Sequence, residues 1–79
     1  MNFAKIFEVK QFQMLYTLTI NPESKEHRYT ITLRVDDEDL KYEVNMGYKS
    51  IEARDKAFQE IDIQTARQNL ISMRKALNF

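Results

Sequence analysis

Three stretches of alternating apolar and polar residues, short polar connections between them, and a helical apolar stripe near the C-terminus predict the fold class. It is α+β: an antiparallel β-meander of three or four strands with two C-terminal helices packed on one face. The chain has 79 residues, enough for one small hydrophobic core, so residues 1–79 are expected to form a single compact domain.

The first well-marked strand is 12–20. Phe12, Met14, Tyr16, Leu18 and Ile20 share one face, and Gln13, Thr17 and Thr19 share the other. A period of two is the mark of a strand with one buried side, and Leu15 is its one exception. Asn21-Pro22-Glu23-Ser24 follows as a polar turn, in which Pro22 cannot donate to a ladder. In 27–35, Tyr29, Ile31, Leu33 and Val35 alternate with Arg28, Thr30, Thr32 and Arg34. After the acidic turn Asp36-Asp37-Glu38-Asp39, residues 40–46 repeat the pattern, with Leu40, Tyr42, Val44 and Met46 against Lys41, Glu43 and Asn45. Gly47 is expected to break that strand.

The apolar face needs a cover, and the C-terminal third supplies it. Ser50 is a good N-cap for a helix over 51–60 that turns Ala57, Phe58 and Ile61 inward. Asp62 opens a second helix, in which Ile63, Ala66, Leu70, Met73 and Leu77 recur at helical spacing. Arg54, Lys56, Arg67, Arg74 and Lys75 read as the solvated outer helical surface. Residues 2–9 are ambiguous between helix and strand. Phe3, Phe7 and Val9 favour a first strand, joined to the next by a bend near Lys10-Gln11.

Composition narrows function more than any motif does. Twelve Lys plus Arg balance twelve Asp plus Glu, with no Cys and one His. Thiolate and histidine-rich metal sites are therefore excluded, and no cofactor is expected. A neutral balance argues against nucleic acid as the main partner, since phosphate backbones call for a cation excess. The N-terminal stretch carries no apolar run of the length a signal peptide or membrane span needs, so a cytoplasmic protein with no membrane association is expected.

No catalytic constellation is visible. His27 has no nucleophile beside it, and a single glycine cannot build a phosphate loop. The four carboxylates at 36–39 lack the alternating ligand spacing, the glycine and the distal glutamate of a calcium loop. The expectation is a non-enzymatic binding protein. Its candidate contact residues are the polar sheet face around Leu15, namely Thr17, Arg28, Thr30, Arg34 and Lys41, and the acidic turn Asp36, Asp37, Glu38 and Asp39. Tyr48 is a further candidate as an exposed anchor.

Two families of RNA-binding domain fail on their own marks. Double-stranded-RNA-binding domains place lysines at the start of the last helix, where this chain has Asp62-Ile63-Gln64-Thr65. The aromatic strand motif of an RRM is missing. A broader likeness lies elsewhere. The opening Met1-Asn2-Phe3-Ala4-Lys5, the Tyr/Thr-rich meander, the run Tyr48-Lys49-Ser50-Ile51-Glu52, then Phe58 with Ile61, and Arg67-Gln68-Asn69-Leu70 in the last helix resemble the small phage anti-CRISPR proteins. The resemblance implies a protein that inhibits a type I CRISPR surveillance complex by docking on its Cas subunits, in the host cell cytoplasm if phage-encoded. The first hairpin and the longer acidic turn depart from those proteins, so no contact residue is carried over. The alternatives are a small nucleic-acid-binding module using Arg28, Arg34 and Lys41, and a structural subunit that forms a weak homodimer through a strand edge or Leu15.

Overall fold

The computed structural model describes residues 3–77. The Met1-Asn2 opening, the first residue of the 2–9 segment and both terminal residues of the 1–79 domain lie outside the described residues. Four strands and two helices follow in the order β1 (Ala4–Val9), β2 (Phe12–Ile20), β3 (Tyr29–Asp36), β4 (Lys41–Tyr48), α1 (Ile51–Gln59) and α2 (Ile63–Leu77). The strands form one open antiparallel sheet in sequence order. The predicted α+β meander with two C-terminal helices is the observed architecture, and the strand number is four.

The ambiguous first segment is a strand because its pairing buries the right side chains. Phe7 pairs with Met14 and Val9 with Phe12, which puts Phe7 and Val9 on the same inner face as Met14 and Tyr16. The Lys10-Gln11 bend is a two-residue hairpin connection in which Lys10 adopts φ 56°. That conformation suits glycine best, so a lysine there leaves no sequence mark of a turn.

The inner face is the core. Met14, Tyr16, Ile31 and Val35 are completely buried, and Phe58, Ile61, Ala66, Leu70 and Met73 of the helical segment close over them. Phe7 meets Tyr16 edge-on at 6.0 Å between ring centroids, and the Tyr16 hydroxyl donates to the Asn69 side-chain carbonyl. A buried phenol needs such a partner. Burial pushes its pKa up to about 12. Both helix caps form as expected: Ser50 Oγ accepts from the Ala53 N–H at 3.1 Å, and Asp62 Oδ1 accepts from the Thr65 N–H at 2.9 Å. These bonds hold the Asp62 carboxyl below its ordinary pKa.

Two cations fasten α1 to the sheet. Lys5 projects from the inner face of β1, and its Nζ donates to the carbonyls of Phe58 at 2.7 Å, Ile61 at 3.0 Å and Gln59 at 3.2 Å. A positive charge on the exposed carbonyls of a helix C-terminus is favoured by the helix dipole as well. Arg54 holds the other end. It is buried, not on the solvated helical surface where its sequence position put it. Its Nη1 donates to the Thr19 carbonyl at 2.8 Å, it pairs with Asp55 at 3.0 Å, and it lies 5.7 Å from the Tyr29 ring. Helical periodicity alone could not reveal this, because the Thr19 carbonyl comes from β2, far away in sequence.

Gly47 does not break β4. The strand runs on through it to Tyr48, and Gly47 pairs with Thr30. Its role is steric: a Cβ at Gly47 would stand 2.4 Å from His27 Cβ. The 21–28 loop folds back against the end of the sheet there, held by Asn21 N–H to the Arg28 carbonyl at 2.7 Å and His27 N–H to Ser24 Oγ at 3.0 Å. Tyr48 is half-buried against the core instead of being an exposed anchor, and burial raises its pKa.

Candidate functional site: the outer sheet face

Strand register sorts the outer face into four cross-strand rows: Glu8–Gln13–Asp36–Lys41, Ile6–Leu15–Arg34–Glu43, Ala4–Thr17–Thr32–Asn45, and Thr19–Thr30–Gly47. Neighbours in a row lie about 5 Å apart, so each row is a set of touching or nearly touching side chains.

The row built on Leu15 is the apolar one. Leu15 is half-buried because Ile6 stands beside it, and Ile6 is itself 60 % exposed. Arg34 and Glu43 continue the row as exposed charges of opposite sign. Sequence reasoning found Leu15 and Arg34 but missed Ile6 as a contact residue. The signal was present: once Phe7 and Val9 define the inner face of β1, Ile6 must point the other way.

The threonine rows are a hydrogen-bonded layer. Thr19 Oγ1 lies 2.5 Å from Thr30 Oγ1 and 2.9 Å from Thr32 Oγ1, and Thr32 Oγ1 donates to Asn45 Oδ1 at 2.7 Å. Thr17 Oγ1 reaches the Thr32 carbonyl at 3.4 Å. Thr30 and Thr32 are buried, at 6 % and 7 % exposure. Their hydroxyls are used within the sheet, which makes Thr30 a structural residue and not a presented one. A shallow hollow of about 320 Å³ lies over Thr19, Thr30, Thr32 and Asn45.

The remaining candidates divide. Lys41 and Asp36 are cross-strand partners in the first row, so the acidic turn begins on this face. Asp37 does turn-building work: its Oδ1 accepts from the N–H groups of Leu40 at 2.6 Å and Asp39 at 2.8 Å. Glu38 and Asp39 are the exposed tip. Arg28 lies in the 21–28 loop, one residue before β3, not in the strand face that the alternation implied. Leu15, Thr17, Arg34, Lys41 and Asp36 are thus brought together on the face.

Chemically, the arrangement offers an apolar pair, a layer of internally satisfied hydroxyls and charges of alternating sign. It suits contact with a protein surface better than the pull of a polyanion. Among the described residues no group of three or more His, Asp or Glu is placed to hold a metal ion, and no helix is long and apolar enough to cross a membrane. No family model, curated protein or solved structure matches the chain.

Proposed function

We propose that this domain is a non-enzymatic protein-binding inhibitor of the phage anti-CRISPR kind, docking its outer sheet face on a Cas subunit of a type I surveillance complex. The observation that carries the docking face is the adjacency of Ile6 and Leu15 on an otherwise polar surface. Two neighbouring aliphatic side chains on an otherwise polar, solvent-facing sheet side make an apolar patch of the kind that a partner covers. Arg34 beside them supplies the residue type most often found at the energetic centre of interfaces. The resemblance in the meander, the Ser50 cap and the last helix supports the class of target.

Size sets the footprint. Four strands about 4.8 Å apart and about eight residues long span roughly 500 Å² in projection. A standard interface uses about 800 Å² per partner. The sheet face is thus of the size a standard interface uses, and the tip at Glu38 and Asp39 is the adjoining exposed surface, suited to a basic patch on the partner.

The test is binding to purified type I surveillance complexes of several subtypes, measured with the unaltered chain and with Leu15→Glu and Arg34→Glu. The expected result is complex formation with at least one subtype, and a loss of about tenfold or more in affinity for each variant at unchanged melting temperature. Failure to bind any subtype removes the target class. Binding unaffected by both variants removes the face.

Self-association is the second reading, favoured by the same Ile6–Leu15 pair lying next to the open edge of β1. Sedimentation at high micromolar concentration decides it: a monomer rules it out. The cations of the face weigh against a nucleic-acid module, since Arg34 is paired in register with Glu43 and Lys41 with Asp36.

A further inference from the structure

The two edges of the sheet meet solvent differently. β4, at one edge, lines its outer face with Lys41, Glu43 and Asn45, all exposed, and charges so placed keep a further strand away. β1, at the other edge, carries Ala4, Ile6 and Glu8 on that face, and Ile6 is 60 % exposed. Its one cation, Lys5, is turned inward and occupied by the carbonyls of Phe58, Gln59 and Ile61, so it does not guard the edge. The Leu18 N–H donates to the Phe3 carbonyl at 3.1 Å, which makes Phe3 and Leu18 a hydrogen-bonded pair. Alternation in an antiparallel ladder then turns the N–H and C=O groups of Ala4, Ile6 and Glu8 away from β2, toward the open edge. An apolar feature lies at each end of this edge. Phe3, one residue before β1, is 65 % exposed. At the far end a cleft of about 400 Å³ opens beside Val9, with Val9, Leu70 and Ile71 as its apolar floor.

We propose that two copies of this chain pair their β1 edges antiparallel, about a two-fold axis at Ile6, into one continuous sheet. The pairing rests on the self-association reading above and gives that contact its strand, its register and its partner residues. The edge is self-complementary in one register. With Ile6 opposite Ile6 of the second copy, Ala4 stands opposite Glu8 and Glu8 opposite Ala4. Every free group of the edge is then used, and each of these pairs exchanges two main-chain hydrogen bonds. No like charges meet. The two Glu8 side chains are four residues apart along the edge, about 13 Å, and Lys5 faces Phe7. Sliding the copies by two residues sets Lys5 against Lys5 in one direction and Ile6 against Glu8 in the other. On the outer face the favoured register joins the two apolar pairs into one row, Leu15–Ile6–Ile6–Leu15. It also carries the exposed Phe3 of each copy to Val9 of the other, where the apolar cleft opens. The register that satisfies the backbone thus matches an exposed ring to an open apolar floor. Size makes the contact weak. β1 has 6 residues, about 20 Å of edge, which buries less than the roughly 1,600 Å² of a standard interface. The dimer is therefore reversible, with a Kd on the order of 100 μM.

Sedimentation equilibrium of the full chain, from about 10 μM to about 1 mM, reads the dimer, and amide hydrogen exchange reads its geometry. The expected result is a monomer–dimer equilibrium in which rising concentration slows exchange at Ala4, Ile6 and Glu8. Lys5 and Phe7, whose amides already face β2, stay unchanged. Charge at Ala4, an exposed position outside the core, reads the register. Ala4→Lys, opposite Glu8, tightens the dimer about threefold or more, and Ala4→Glu weakens it by a similar factor. Ile71→Glu, which puts a carboxylate on the cleft floor, weakens it about fivefold or more. Melting temperatures identify any variant that fails to fold. A monomer at about 1 mM overturns the proposal. So does a dimer in which the Ala4, Ile6 and Glu8 amides are not slowed, since its contact lies elsewhere. Equal affinity of the Ala4→Lys and Ala4→Glu dimers overturns it too. A dimer with these signatures in a chain that binds no surveillance complex supports the edge and removes only the docking reading.

Discussion

On the inner face of the sheet, Tyr16, Ile31 and Val35 have no exposed surface, while on the outer face of the same strands Leu15 is half-exposed and Arg34 reaches solvent. The inner side is covered by helices whose apolar stripe matches it. The outer side is covered only at one end, where the 21–28 loop comes down on Gly47 and the threonine layer satisfies its own hydroxyls. Its other end, around Ile6 and Leu15, stays open. One strand can therefore carry three environments along nine residues: a dry core, a closed polar layer and an open apolar pair. The difference lies in what covers each face, not in the hydrophobicity of the strand itself.

The largest effect that tests this contrast is truncation. Leu33→Ala, at a core position 2 % exposed, is expected to cost about 2–5 kcal/mol by urea unfolding. Leu15→Ala is expected to cost about 1 kcal/mol or less. Equal costs would mean that the outer face is part of the core. Next comes alkaline pH. Tyr16 keeps its proton in the folded state up to about pH 12, whereas an unfolded tyrosine loses it near 10. Between those values the folded chain binds more protons, so stability is intact below pH 10 and falls as pH rises toward 12, on the order of 2–3 kcal/mol in total. Tyr16→Phe should flatten that part of the stability profile, and a slope unchanged in the variant would contradict the burial.

A smaller effect probes the closed end of the outer face. Gly47→Ala is expected to cost about 1–3 kcal/mol by forcing His27 away, and His27→Gly in the same chain should return most of it. A double-mutant cycle without coupling would show that the loop does not rest on Gly47. The smallest is at the first turn. Lys10→Gly relieves a left-handed backbone and is expected to raise stability by up to about 1 kcal/mol, read as a higher melting temperature. A loss instead would mean that the Lys10 side chain contributes more than its backbone costs.

Much of this was legible in the residues. Alternation located β2, β3 and β4 because a half-buried strand has to repeat every two positions. Ser50 and Asp62 announced their helices because a free N–H in the first turn needs an acceptor. Leu15 broke the alternation and so marked the open face. The residues that were not legible are those whose partners are distant in sequence. Arg54 looked like a surface cation until Thr19 and Tyr29 were brought to it. Gly47 looked like a strand breaker until His27 was placed against it. Thr30 looked like a presented hydroxyl until Thr19 closed over it. Lys5 gave no sign of capping α1, because a helix C-terminus more than fifty residues later leaves no mark on its local pattern.

The sequence by itself determined which side chains lie on each face of β2, β3 and β4 and where the helices begin. Strand and helix periods are local properties of the backbone, so they can be read without knowing the fold. The tertiary structure alone decided which of the two faces is sealed and that Ile6 joins Leu15. Those outcomes depend on pairing between segments far apart in the chain, and no local period carries that information.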